Sequence, residues 1–154
     1  MTLCRGLWSF HHGWTTLASI MNALTLGPFS VAPDGILHPL DAGTLPALHF
    51  AWRGRACDAE LDGPFLRLAS AAARIPSSAE PGVDRSRAFA ELAGLPALLP
   101  KGWSVKLLPD HRVQVQAEAT LDCPPTATSL IAAMVRFALA LDPYLDRLER
   151  AGVR

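Results

Sequence analysis

The sequence predicts an α+β fold: a single domain in which an antiparallel sheet of five or six strands, built from hairpins, is packed by helices that include a long C-terminal one. Apolar and polar residues alternate with period two around three turn motifs, at 33–35, 53–54 and 109–111, which is typical of half-buried hairpin strands. After the last hairpin, apolar residues recur at helical spacing. Half of the 154 residues are hydrophobic, which is enough for a sizeable core.

The composition excludes several classes of function. The chain has 14 basic and 14 acidic residues, so it lacks the positive charge of a general nucleic-acid binder and has no electrostatic attraction to acidic membranes. No apolar run reaches the roughly 18 residues that cross a bilayer. We therefore expect neither nucleic acid nor a membrane as partner.

The cysteines indicate a reducing compartment. Cys4, Cys57 and Cys123 are odd in number and far apart in sequence, which argues against a disulfide framework and a zinc knuckle. Cys57 falls on an inward strand position, where a small buried hydrophobe is expected. The expected location is the cytoplasm.

Residues 1–20 are interpreted as an N-terminal extension or a short helix, and 21–154 as the α+β domain. Two interpretations of the extension stay open. Met21 is the true start of the protein, or Trp14–Leu24 forms an amphipathic helix that packs on the domain.

The first predicted hairpin turns at a Pro-Asp-Gly motif, residues 33–35. This order is typical of a type I turn followed by a left-handed glycine, which closes a three-residue loop. That loop pairs Val31 with Leu37 and Phe29 with Pro39.

The second predicted hairpin spans 47–62 and turns at residues 53–54. A two-residue turn there pairs Phe50 with Cys57 and places His49 opposite Asp58 on the polar face. Because a shift of one residue would mix the two faces, the register is well specified.

Two helices and a connector are expected in the middle of the chain. Apolar residues at helical spacing predict one helix over 65–75. A second helix over 84–93 begins with Asp84 as its cap, buries Phe89 and ends near Gly94. The proline-bracketed stretch 95–100 is expected to be an extended connector.

The third predicted hairpin has a three-residue loop at 109–111, which pairs Leu107 with Val113 and Trp103 with Ala117. His111 is among the residues that tolerate a left-handed conformation.

The long C-terminal helix follows, with Thr126 or Thr128 as its cap. Its scarcity of charge predicts that it is covered on more than one side, by the sheet and by a second subunit. Asp142-Pro143 predicts a kink, or a break and restart, because proline removes an internal hydrogen bond. The stripe that predicts this helix is Leu130, Met134, Phe137, Leu141, Leu145 and Leu148.

No catalytic or metal-binding motif is present in the sequence. The histidines have no metal-ligand spacing, and no phosphate-binding or nucleophile motif occurs. We therefore expect no catalytic residue, no metal and no cofactor. The candidate binding residues lie on or beside the polar sheet face or are tryptophans on strands: Trp52, His49, Asp58, Trp103 and Arg112.

The order of predicted elements resembles the type III secretion chaperone-like fold, whose usual order is α-β-β-β-α-β-β-α. The passage Leu24-Thr25-Leu26-Gly27 leading to the turn at 33–35, and the stretch 107–121 followed by a leucine-rich helix, carry the resemblance. The resemblance implies a homodimeric, non-enzymatic protein of a bacterial cytoplasm that binds extended partner segments on exposed apolar patches.

Three functions follow from these observations. The first is a non-catalytic protein-binding or chaperone-like module that forms a homodimer. The alternative is a small enzyme or ligand-binding domain with a site near His49, Asp58 and Arg112. A third is an accessory protein held in a larger complex through its C-terminal helix.

Overall fold

The computed structural model describes residues 24–77, 79, 81–82 and 84–153. The predicted N-terminal extension lies outside these residues, as does the candidate helix at 14–24 except for Leu24, which belongs to a strand.

The described residues form two antiparallel sheets and two α-helices, which confirms the predicted α+β class. A three-stranded sheet has the order β1-β2-β3, and a five-stranded sheet has the order β4-β5-β6-β8-β7. The elements are β1 (Leu24–Leu26), β2 (Phe29–Val31), β3 (Leu37–Pro39), β4 (Ala47–Trp52), β5 (Arg55–Asp62), β6 (Phe65–Arg74), α1 (Arg85–Gly94), β7 (Trp103–Leu107), β8 (Arg112–Thr120) and α2 (Ala127–Arg150).

The small sheet confirms the first predicted hairpin and adds a strand to it. Val31 pairs with Leu37 across β2 and β3. β1 was not predicted, and it pairs with β2 through a turn in which Gly27 has a φ of 54°. The positive φ favours glycine at this position, and a Cβ there would also displace the end of the Leu48 side chain.

The hairpins of the large sheet have the predicted registers. His49 pairs with Asp58 across β4 and β5, and Trp103 pairs with Ala117 across β7 and β8. His111 has a φ of 64°, as expected at the loop of the last hairpin. The alternation of apolar residues is strong enough on these strands to fix which face of the sheet is buried.

The prediction of a helix over 65–75 is wrong, because this stretch is β6. A tight turn with Gly63 at a φ of 59° reverses the chain directly from β5 into β6. β6 lies at the centre of the sheet, between β5 and β8. Residues 68–70, 72 and 73 of this central strand are all buried, and a bulge lies between Ala71 and Ala73, so the stretch lacks an alternation of buried and exposed residues and resembles a helical stripe.

Helix α1 has the predicted bounds within one residue, and the Asp84 side chain accepts a hydrogen bond from the Arg87 backbone N–H as its N-cap. Phe89 was expected to be buried, but it is 44 % exposed. The stretch 95–100 is not extended: a short 3-10 helix, Leu95–Ala97, follows α1 directly. Leu95 is fully buried, so it is the residue that anchors this connection in the core.

Helix α2 begins at a capping box formed by Thr126 and Ser129 and runs unbroken past Pro143 to Arg150. The predicted break at 142–143 is therefore wrong. The last carbonyls of the helix accept hydrogen bonds from the residues that follow it. For example, the Gly152 N–H donates to Glu149 O. Tertiary packing on both sides of the proline outweighs its local cost.

The apolar stripe of α2 packs against the sheet in one core that also contains residues of the small sheet. Its buried members are Leu130, Ala133, Phe137, Ala138, Leu141, Leu145 and Leu148. By length and composition alone, α2 is apolar enough to cross a membrane, contrary to the expectation that no segment is. In this fold the buried stripe of the helix is part of the protein core.

Candidate functional site

The first predicted pair, His49 and Asp58, lies on the open polar face of the large sheet. His49 Nδ1 is 2.6 Å from Asp58 Oδ1. The histidine side chain is 77 % exposed and that of the aspartate 44 %. A contact between side chains as exposed as these contributes little to stability. The structure does not place a serine or cysteine nucleophile beside it among the described residues, since Cys57 points to the opposite, buried face.

Arg112 is far from this pair. It lies at the start of β8, where its side chain and backbone both donate to Asp110 in the hairpin loop. The backbone N–H of Arg112 is the main cause of the lowered pKa of Asp110. Successive strand pairings place Gln116 of β8 level with His49 of β4 across the sheet. Arg112 precedes Gln116 by four residues along β8. From the strand spacings, His49 and Arg112 are about 20 Å apart.

The two candidate tryptophans come from the two edge strands, and each contacts α2. Trp52, at the end of β4, donates from Nε1 to Asp142 Oδ1 over 2.8 Å. Trp103, on β7, lies against Phe137 and Tyr144, with ring centroids 5.0 Å and 6.1 Å away. The tryptophans therefore attach opposite edges of the sheet to the same helix, and the structure does not bring them together into one binding surface.

The hairpin that joins β4 to β5 is attached to the C-terminal half of α2 by two arginines that the sequence prediction did not include as site residues. Arg53 Nη1 donates to Asp146 Oδ1 over 2.7 Å, and Arg55 Nη2 donates to Glu149 Oε1 over 2.7 Å. The Asp146 hydrogen bond is the main cause of the raised pKa of Arg53. Arg53 is in a left-handed conformation, with a φ of 49°, in the turn of this hairpin.

The cysteines only partly match expectation. Cys57 is a buried, free thiol, as predicted. Burial raises its pKa, so the nucleophilic thiolate is disfavoured. Cys123 is disulfide-bonded, so the prediction that the cysteines form no disulfide is wrong for this residue.

Helix α2 has an apolar ridge formed by Ile131, Val135 and Leu139. These side chains are 45 %, 50 % and 57 % exposed. They recur every four residues, so they lie in a row about 12 Å long on one face of the helix. The row ends beside Asp142, which follows Leu139 by three residues and belongs to the contact with Trp52. The ridge is thus an apolar surface on α2. It lies next to the part of the helix, nearer the C-terminus, that the β4–β5 hairpin covers.

The sequence did not single out this ridge, although the scarcity of charge on the helix predicts cover on more than one side. The part of the chain that the structure describes does not provide that cover. Nor does it contain a group of three or more His, Cys, Asp or Glu side chains that could hold a metal ion.

No protein-family model matches the chain, and no curated protein matches its sequence.

Proposed function

We propose that the protein is a non-catalytic protein-binding module that forms a homodimer through the α2 ridge. The observation that carries this proposal is the row of three half-exposed apolar side chains, Ile131, Val135 and Leu139, on the outward flank of a core helix. Single exposed apolar residues are common on protein surfaces, whereas a contiguous apolar surface is typical of an interaction site.

The ridge suits a second copy of the same helix. A twofold axis near Val135 would place Ile131 of one protomer beside Leu139 of the other, so that the surface is complementary to itself. The helix has no charged residue between Ala127 and Val135 and one, Arg136, before Asp142. Pairing two such faces therefore buries little charge, and its free-energy cost in lost hydration is low.

The order of strands and helices supports the chaperone-like part of the proposal. From β4 onward the chain runs β-β-β-α-β-β-α, which is the order that the resemblance implies after its first helix. The large sheet has two edges, β4 and β7, and an extended partner segment would add to such an edge through backbone hydrogen bonds.

The cytoplasm remains the proposed location on the basis of the resemblance. The disulfide at Cys123 counts against a reducing compartment, because such bonds are rare in cytosolic proteins. Recovery of the chain with secreted proteins after cell fractionation would contradict this location.

The alternative of an enzyme or ligand site near His49, Asp58 and Arg112 has less support. The structure brings His49 and Asp58 together, but Arg112 is held at the other end of the sheet by Asp110. None of the three lines the described cavities.

Size-exclusion chromatography with light scattering tests the proposal. A homodimer has a mass of about 33 kDa, twice that of the 16.5 kDa chain. We expect this mass at tens of micromolar protein. A mass that stays at 16.5 kDa up to the highest soluble concentration would contradict the homodimer.

A further inference from the structure

A cavity of about 560 Å³ opens at one end of the molecule, where the end of β6, the start of α1 and the end of α2 meet. Within the described part of the chain, its charged lining consists of three arginines, Arg74, Arg87 and Arg150, and one carboxylate, Asp84. The lining therefore has an excess of two positive charges in a protein whose formal net charge is zero.

None of the carboxylates among the described residues forms an ion pair with these three guanidinium groups. Other arginines of the fold, such as Arg147 with Glu91, have an acidic partner. Among the described residues, Arg74, Arg87 and Arg150 form no ion pair, and Arg150 uses only Nε, in a hydrogen bond to the Asp146 backbone carbonyl. At least two N–H donors on each group thus remain for a ligand.

The surrounding structure adds to the positive potential. Arg85, the first residue of α1, has a buried Nε without a hydrogen-bond partner among the described residues. Asp84, the one carboxylate in the lining, already accepts the Arg87 backbone N–H as the cap of α1. The N-terminal end of a helix also favours negative charge.

We infer that this cavity binds a small molecule that carries a phosphate group. A phosphate monoester has a charge of about −1.5 to −2 near pH 7, which matches the excess in the lining. Guanidinium groups bind phosphate oxygens through paired hydrogen bonds. The volume falls within the range of small-molecule sites, and Ile75, Pro76 and Pro81 supply apolar surface for the remainder of the ligand.

Protein NMR with the full-length chain tests this inference, with inorganic phosphate as the probe. We expect saturable shifts of the backbone amide signals around residues 74, 87 and 150, with a dissociation constant of about 1 mM or tighter. Shifts that do not saturate, or that spread evenly over the surface, would overturn it.

Charge-removing variants locate the binding. Arg74→Gln, Arg87→Gln and Arg150→Gln should each weaken phosphate binding by about tenfold or more, because each removes hydrogen bonds between charged groups. Arg136→Gln is the matched control: it is an exposed arginine on α2, outside the cavity lining. Asp84→Asn keeps a side chain that caps the helix and removes the opposing charge, so it should tighten binding. An equal loss with Arg136→Gln would show non-specific attraction and overturn the site.

A glutamate-rich peptide provides the remaining comparison. If it binds the cavity more tightly than phosphate, the ligand is an acidic protein segment and the assignment to a small phosphorylated molecule is wrong. The inference does not depend on the homodimer, since the cavity and the α2 ridge involve different residues.

Discussion

At the scale of single residues, the tryptophans of the edge strands are the side chains that position α2. Trp52 forms a hydrogen bond with Asp142, whereas Trp103 makes ring contacts with Phe137 and Tyr144 and no described hydrogen bond. Both indole rings are partly exposed and pack against the core. These contacts give a structural role to two of the five residues that the sequence indicated as binding candidates, and binding by them stays a prediction.

The hydrogen bond of Trp52 leads to a testable difference between the two tryptophans. Trp52→Phe removes the indole N–H that donates to the Asp142 carboxylate. A well-formed hydrogen bond to a charged group contributes about 1.5–3 kcal/mol, and we expect a smaller contribution at this half-exposed position. Trp103→Phe, the control, loses similar volume but keeps an aromatic ring beside Phe137. We expect Trp52→Phe to lower the free energy of unfolding by about 1 kcal/mol more than the control. Urea denaturation measures both, and equal losses would contradict the assigned function of the hydrogen bond.

Sequence reasoning succeeded for residues whose partners are close along the chain. The pairing of His49 with Asp58 follows from a two-residue turn between them, so the geometry is local. The contact between Arg53 and Asp146 joins residues 93 positions apart, and the three arginines of the cavity come from three separate elements. Periodicity within one segment does not contain such long-range information.

At the scale of elements, two of the errors have physical causes that the packing shows. The helix predicted over 65–75 is β6, because a central strand filled with Ala69 and its small neighbours lacks clear alternation. The break predicted at Pro143 does not occur, because α2 is packed on both sides of it by Leu141 and Leu145. In both cases tertiary packing overrides the local preference.

The continuous helix predicts that Pro143 costs stability. In an α-helix, the Leu139 carbonyl would accept from the N–H of residue 143, which proline lacks. Pro143→Ala should raise the free energy of unfolding by about 1–2 kcal/mol. This figure allows for an opposing effect, because proline also stabilises the fold by restricting the unfolded chain. Pro96→Ala is the control, since Pro96 lies in the first turn of the 3-10 helix and blocks no helical bond there. Thermal or urea unfolding measures both variants, and a loss of stability in Pro143→Ala would contradict the unbroken helix.

At the scale of the whole molecule, α2 organises the fold, and the described residues leave one of its faces half exposed. Its inner stripe lies on the sheet, and the edge strands hold it through Trp52 and Trp103. The ridge of Ile131, Val135 and Leu139 remains half exposed. A second copy of the helix would cover this ridge, which is why the homodimer is the central claim about function.

The most direct test of this claim places one charge on the ridge. Val135→Glu puts a carboxylate at the proposed twofold axis. In the dimer the two carboxylates would face each other, and the burial of each without a partner would destabilise the interface. Leu107→Glu is the control, because Leu107 is a similarly exposed apolar residue, at the end of β7. Light scattering should give about 33 kDa for the wild type and the control, and 16.5 kDa for Val135→Glu. A Val135→Glu protein that remains folded and dimeric would contradict the ridge as the interface.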